Sequence, residues 1–570
     1  MSLLLLTIYS LSGLLVYHVL KLVYKEYTSP NRRLPGPPRK SWIYGNLNEV
    51  FSAENSVMHE KWVEEYGPTI RYHGFLGVRT PAPSISGSNY NYLLHFQQTR
   101  FYTTDTKAMN HILMNHYDFQ KPDMMRQALV EIFGDGLLLT EEEKHKFQRR
   151  VMVRPPTAID EIRQLNSYFF LLIQNPAFGP AQIRQLTTIF VDKALQLRDA
   201  WKSQIDLVPE TKGETRLDVL KWLSKMTLDV IGLAGFNYEF NALSAADNEL
   251  NKAFTVIFTQ SSRPRIWQLV RAHFPVFRAF PDLVDQTIRD ARSTMDRIGR
   301  GLLNDSKRRL LSEKTDDKDN AGKDLLSLLV KSNMNENQTH QLTDEDVVAQ
   351  VPTFLIAGHE TSSTATTWTL FALTQHPEIQ RKLREELLGV STDAPTMDEL
   401  NSLPYLDAVV RETLRVHPPV PSTTRVAVRD TVLPLNEPVG GRDFVEVRKG
   451  QTIFISILAL NRNKRLWGED AAEFKPDRWL NGSIDTSVPG VWGNMMTFLG
   501  GARSCIGYRF ALVEIKALLF TLIRAFEFEL AVPVEDLGKK TSIVQRPFVK
   551  SEEQKGSQLP LIVKLYNPEQ

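Results

Sequence analysis

One cysteine, Cys505, stands among 570 residues, in the stretch Phe498-Leu-Gly-Gly-Ala-Arg-Ser-Cys-Ile-Gly507. A lone thiol forms no intramolecular disulfide and builds no zinc or iron–sulfur cage. Three roles remain: a structural buried thiol, a nucleophile, or the single axial ligand of a metal that brings its other ligands along. The neighbours choose among them. Gly500, Gly501 and Gly507 let the backbone fold tightly and approach something flat. Arg503 offers a planar fork suited to a carboxylate. Phe498 supplies an apolar wall, and an apolar helical run, Phe510–Phe526, begins just beyond. Haem fits all of these, with iron for the thiolate, propionates for the arginine and a macrocycle over the glycines.

A second group of reactive residues lies upstream. Thr343-Asp-Glu-Asp346 places a capping hydroxyl and an acidic first turn at a helix start. The spacing predicts that this helix runs on through Ala357-Gly-His-Glu-Thr361 to about Gln375. Pro352, Gly358 and the run Thr361-Ser-Ser-Thr-Ala-Thr-Thr367 weaken regular helix, by a missing donor, backbone entropy or competing hydroxyl bonds. A local opening of the helix is therefore expected. Beside a haem it makes room for oxygen and water, and Glu360 and Thr361 then serve as a proton relay in general-acid catalysis.

Both segments resemble motifs of the cytochrome P450 family. The cysteine loop matches the family's F-x-x-G-x-R-x-C-x-G at every specified position, and Ala357, Gly358, Glu360 and Thr361 match its A/G-G-x-D/E-T oxygen-activation motif, with His359 in the variable place. Between them, Glu412 and Arg415 lie three apart on one helical face, followed by Phe474-Lys-Pro-Asp-Arg478-Trp479. That order resembles the family's structural triad of Glu, Arg and Arg, here Glu412, Arg415 and Arg478. Trp479 stands where the family more often shows Phe. The resemblance implies propionate partners at Arg503, at Arg425, and at Arg149 in Lys144-His-Lys-Phe-Gln-Arg149, with His145 in place of the usual Trp. It also implies a pocket walled by Phe354, Ile356 and Ala357 and by Val420, Thr423 and Thr424, apolar or small residues that suit a lipophilic substrate.

The rest of the chain must position these groups. The 42% hydrophobic content allows a sizeable core, and the formal net charge of +2 gives no reason to expect nucleic acid as a partner. One cysteine suits a domain facing a reducing compartment. Leu3 to Leu20 is almost wholly apolar, about the length a helix needs to cross a bilayer. No small-residue cleavage site follows it. Lys21, Lys25, Arg32, Arg33, Arg39 and Lys40 come next and leave the remainder on the cytoplasmic side. Leu34-Pro-Gly-Pro-Pro38 reads as a stiff, non-helical hinge similar to that of microsomal members. The expected order is thus a membrane anchor (1–24), a basic, proline-rich hinge (25–40) and one haem-thiolate domain (41–570). In a cytosol-facing domain the sequons at Asn304, Asn337 and Asn481 stay unmodified.

The expected fold is mainly α with small β-sheets. Strand-like runs occur at Pro68–His73, Arg100–Thr104, Val426–Val432 and Thr452–Ile457, and a polar loop at Ser312–Lys323. Two segments break the resemblance. Val78–Gln97 intervenes where a short hairpin loop is expected, and Val153–Gln174 separates Arg149-Arg-Val-Met152 from Asn175-Pro-Ala-Phe178, which resembles its usual continuation. Both begin Val-Arg, end in Gln and carry a late aromatic or aliphatic tract, as two translated in-frame introns of a fungal gene would. The alternative is genuine lineage-specific loops.

No flavin or nicotinamide fingerprint occurs, so electrons come from another protein. The resemblance implies an endoplasmic-reticulum monooxygenase with haem b, fed by an NADPH-cytochrome P450 reductase and by cytochrome b5. Fungal members suggest secondary metabolism and a terpenoid-like substrate, by fold-level analogy. An oxygen-independent haem-thiolate isomerase or dehydratase would use the same loop without needing Thr361 or Glu360. A non-catalytic haem-binding paralogue is the other alternative, favoured only by the two inserts.

Overall fold

The computed structural model describes residues 30–41, 44–74, 99–153, 178–207, 213–244, 283–312, 324–334, 341–481, 487–541 and 543–567, with isolated positions between 13 and 28 and around 250. The inserts 78–97 and 153–174 lie outside the described residues, apart from the backbone of Val153 at a helix end. The apolar segment Leu3–Leu20 also lies outside them, except Gly13 and Tyr17. Among the described residues no helix is long and apolar enough to cross a membrane. The chain divides into two units, and it passes from the first to the second between Ser504 and Cys505.

The first unit comprises residues 1–125, 420–472 and 484–504. Its five-stranded sheet has the order Thr69–His73, Thr99–Thr103, Thr452–Ser456, Ser422–Ala427, Phe119–Gln120. Thr452–Ser456 is buried at every position. This accounts for its lack of alternation, since a strand covered on both faces reads as a continuous apolar run. Ser456 then caps a short helix, Ile457–Asn461, by accepting from the Ala459 amide. The predicted strand Val426–Val432 is corrected: the ladder stops at Ala427, and a second hairpin starts at Thr431 (Thr431–Val439 with Arg442–Val447). Val428 and Arg429 form the bend between them, followed by Asp430. The first two strands pair antiparallel from Thr69↔Thr103 to His73↔Thr99, so the suspected insertion point falls where a hairpin turn would close.

The proline-rich segment is docked onto this sheet. The Arg71 amide donates to Pro35 O and Arg71 Nε to Leu34 O, and any Cβ at Gly36 would overlap the Arg71 carbonyl. Only glycine permits that approach. The proline-rich segment is thus held to the strand that carries Arg71.

The second unit comprises residues 126–419, 473–483 and 505–570 and is mostly helical. Helix Tyr508–Ala525 buries Phe510, Leu518, Leu519, Phe520, Leu522 and Ile523. At about 1.5–3 kcal/mol for each large apolar side chain, this face is a major contributor to the core. It packs on Pro180–Asp206 and on Gln350–Gln375, which in turn packs on Val219–Phe236. A three-stranded sheet (Glu214–Asp218, Pro560–Leu565, Phe526–Leu530) and a hairpin (Leu537–Thr541 with Gln545–Val549) complete the unit.

The long helix is interrupted, but not where expected. Thr343 and Asp346 form a reciprocal capping box on Asp344–Val348, then the helix breaks at Ala349 and resumes at Gln350. Pro352 has no N–H for the Val348 carbonyl, which places the break one turn before it. The loop ahead of helix Glu142–Val153 docks there, with the Leu137 amide donating to Gln350 Oε1. From Gln350 to Gln375 the helix is continuous. Its hydroxyls bond back four residues, as Thr361 does to Ala357 O, Thr366 to Ser362 O and Thr367 to Ser363 O, without opening it. Gly358 serves packing: a Cβ there would come within 2.8 Å of Ile231 on Val219–Phe236.

Candidate active site

In the second unit Cys505 is accessible. Protein density around its sulfur nevertheless raises the thiol pKa by desolvation. The Gly507 amide, hydrogen-bonded to the sulfur, and the charge of Arg149 act in the opposite sense. An accessible yet enclosed thiol with a donor and a cation near it is arranged to become a thiolate on meeting a metal, releasing its proton. Gly507 has φ −94°, which any residue adopts, and a Cβ there would make only ordinary contact, 3.7 Å from Phe178. Among the described residues no neighbour demands this glycine, so its bare face is room for a flat group. The residues present fit a haem. Helix Glu142–Val153 supplies Arg149 and the buried His145 on the same unit.

Helix Gln350–Gln375 is buried nearly throughout, with an accessible patch at Ala357, Gly358 and Thr361. These positions share one helical face. The Thr361 hydroxyl donates to Ala357 O at 2.6 Å, leaving its oxygen lone pairs to accept from the accessible side. Phe354 lies on the same face but is covered edge-on by Phe178 (ring centroids 5.8 Å apart). Ile356 is buried too, off that face. Glu360 is buried, ion-paired with Arg546 on the hairpin strand Gln545–Val549, and 3.5 Å from His359 Nε2. Burial, then the charge of Arg546, lowers the His359 pKa to about 3, so this imidazole is neutral.

The sequence reading missed Arg546, which carries no motif. It also missed Ser224, whose hydroxyl lies 2.9 Å from His359 Nε2, and Glu514. Glu514 is wholly buried on Tyr508–Ala525, and burial raises its pKa to about 8. A charged residue inside the apolar run Phe510–Phe526 was the visible signal for it.

The triad closes within the second unit. Glu412 Oε2 accepts from Arg415 Nε and from Trp479 Nε1, each at 2.9 Å; Oε1 accepts from Arg415 Nη2 (2.8 Å), Arg478 Nε (2.9 Å) and the Lys475 amide (2.8 Å). Trp479 thus adds a donor that phenylalanine lacks.

In the first unit Gly501 has φ +67°, and a Cβ there would sit 2.5 Å from Leu113 O; a Cβ on Gly500 would overlap Pro489 O. These two glycines are required by the turn itself. Phe498 is buried edge-on to Trp492, and Asn461 holds the loop by accepting from the Met496 amide and donating to Thr497 Oγ1. Arg503 is half-buried on this loop. Arg425 is buried, donating to Thr423 Oγ1 and Thr424 O from the same strand. Val420 packs on the unit's core, and Thr424 is buried while Thr423 is half-buried.

A sequence model of the Cytochrome P450 family matches residues 171–548. The chain belongs to the cytochrome P450 family. It is 50% identical to cytochrome P450 monooxygenase 205 of Postia placenta over 568 residues, covering 97% of this chain and 96% of that one. Cytochrome P450 monooxygenase 128 of the same fungus is 47% identical, covering 96% and 95%. Cytochrome P450 monooxygenase claP of Ampulloclitocybe clavipes is 33% identical, covering 95% and 94%. The helices and small sheets described above are the P450 fold. The family's cofactor is haem with thiolate ligation, its electrons derive from NADPH through a reductase, and the relatives above are named monooxygenases, the activity class to which this chain belongs.

Proposed function

We propose that this P450 hydroxylates a lipophilic small molecule, terpenoid-like and from fungal secondary metabolism, with electrons from an NADPH-cytochrome P450 reductase and cytochrome b5. Residues 1–24 anchor it in the endoplasmic reticulum membrane, 25–40 form the hinge, and 41–570 face the cytoplasm. The observation that carries the reading is the accessible patch Ala357, Gly358 and Thr361 on a mostly buried helix, within the same unit as Cys505.

Cys505 is the iron ligand, with Arg149, His145, Arg425 and Arg503 as propionate partners and Phe498, Gly501 and Gly507 against the macrocycle. Haem b, when bound, supplies activation of O2 and insertion of one oxygen atom into an unactivated C–H bond. The protein chooses the substrate, through Phe354, Ile356, Ala357, Val420, Thr423 and Thr424, and manages protons through Glu360 and Thr361. With its own proton engaged by Ala357 O, the Thr361 oxygen accepts and holds a donor at the accessible face. Glu360 is the acid that replenishes it.

Thr361→Ala keeps haem and substrate binding but diverts reducing equivalents into peroxide. General-acid catalysis is worth about 10²–10⁴-fold, so product per NADPH falls toward the lower end of that range. Unchanged product per NADPH would assign the helix motif another role. Comparing metabolites of cells with and without the gene identifies the substrate for this assay.

The segments 78–97 and 153–174 are proposed to be translated introns. Two packing details support this: His73 already pairs with Thr99, and the chain resumes after the second segment at Phe178, which is packed between Phe354 and the Gly507 backbone. Transcript sequencing should find both removed, and deleting both should raise haem occupancy. Mature messages that retain them make them lineage-specific loops.

A further inference from the structure

Helix Val57–Tyr66 packs on strand Thr69–His73 of the first unit, and one of the residues it buries is a histidine. His59 is 2% exposed and boxed by four rings. Phe454 stacks on it and Tyr102 tilts against it, each with ring centroids 4.8 Å away, while Tyr72 and Trp62 stand edge-on at 5.2 and 5.5 Å. Neither ring nitrogen has a hydrogen-bond partner among the described residues. Leaving buried polar atoms unpaired costs stability, so phenylalanine would suit this box better. What histidine adds is a site that takes up a proton near neutrality.

The groups facing the ring decide which protonation state fits. On its own helix Glu60 acts on Tyr102, while Lys61, Glu64 and Glu65 are exposed. Thr69–His73 contributes Tyr72, and Thr99–Thr103 contributes Tyr102 and the buried Arg100. Thr452–Ser456 brings Phe454, and Ile457–Asn461 brings Ala459, neither titratable. Both tyrosines stay neutral, because burial raises their pKa. Arg100 is the charge that acts on His59, and it repels a second cation. Aromatic faces attract a cation, but an imidazolium in this box would hold two N–H groups without acceptors among the described residues. Burial prevails: together with Arg100 it lowers the His59 pKa to about 3.

The helix is also poised to leave. Ser56, at its start, sits at φ 71°, a left-handed conformation that costs a residue other than glycine energy, and its hydroxyl is bonded to Ser456 Oγ. Leu47–Ser52 packs on the same helix and shares its small core through Leu47.

We propose that His59 is an acid-operated latch: as the neutral imidazole it fills the box and docks Leu47–Ser52 and Val57–Tyr66 on the sheet, and as the imidazolium it leaves the box and both helices open. One proton passes from water to a ring nitrogen, and no other covalent bond changes. The docked pKa lies below the ordinary 6.5, so the contribution to docking is complete above that value and is lost as pH falls from 6.5 toward about 3.

Hydrogen–deuterium exchange on the full haem-loaded chain tests this, with rates corrected for the intrinsic effect of pH. Between about pH 7 and about pH 5 the opening constant of Val57–Tyr66 should rise about 25-fold, the linkage expected when protonation is confined to the open form. Amides of Tyr508–Ala525 should change much less. In His59→Phe, which keeps the ring but cannot titrate, the rise should disappear. His59→Leu should be equally flat, whatever its protection at pH 7, and serves if His59→Phe does not load haem. A 25-fold rise that persists in either variant overturns the latch. So does a native protein without the rise, or one in which Tyr508–Ala525 opens by the same factor, since the release would then be global unfolding.

Discussion

Replacing Cys505 by serine or histidine abolishes the absorption band that marks thiolate ligation in the reduced, carbon monoxide-treated protein. The expected effect is complete loss, because the chain contains no other thiol to take over. The Gly507 amide and the Arg149 charge beside the sulfur favour the thiolate, the species that binds iron and pushes electron density onto it. Serine occupies the same place with an oxygen that is far harder to deprotonate. Histidine can bind iron but gives a different spectrum. A band that survives either substitution removes Cys505 from the metal, and with it the assignment of every residue placed around the haem. The same variants report on folding, since the helix that follows is held by its own buried apolar face, not by the thiol.

That loop was legible because its determinants are local. A glycine turn, a cysteine and an apolar helix follow one another within a few residues, and the structure keeps them as such. Glu412 and Arg415 were legible for the same reason, being three apart on one helix. The long helix was readable in extent, but its interruption was misplaced: proline acts on the turn before it, so the break falls at Ala349, while the hydroxyl run keeps its backbone bonds. Gly358 read as a helix breaker, yet its purpose depends on Ile231 of another helix, a contact that periodicity cannot supply. The strand at Val426–Val432 failed because β-branched residues flank a turn, and alternation alone does not mark where one ladder ends. Arg546 is the clearest case of what sequence hides. It sits in a short strand near the C-terminus, among residues that read as an ordinary edge, and gains meaning only when the hairpin docks on the helix carrying Glu360.

Glu412→Ala destabilises the protein by about 3–5 kcal/mol, the cost of leaving a buried cation without its partner. Both Glu412 and Arg415 have side chains 0% exposed, whereas Arg478 retains 13%. With Glu412 truncated, the Arg415 guanidinium loses its two-oxygen carboxylate partner and keeps the neutral Glu473 carbonyl, at 2.9 Å, as an acceptor. Arg478, Trp479 and the Lys475 amide lose this shared acceptor together, which weakens the hold of segment 475–479 on helix Pro404–Val416. Against a typical total of about 5–15 kcal/mol, that loss removes much of the margin for folding, and haem content per chain should fall with it. Urea unfolding followed by tryptophan fluorescence and by haem absorbance measures both. The order of cost should be Glu412→Ala, then Arg415→Ala, then Arg478→Ala, whose site water reaches. Replacing Glu412 and Arg415 together by methionine and leucine should recover part of the loss, because no uncompensated charge remains at that pair. A cost below about 1 kcal/mol for Glu412→Ala, the range of exposed ion pairs, would mean that water or another acceptor reaches Arg415, and the triad would then be a surface ornament and not a lock on the core.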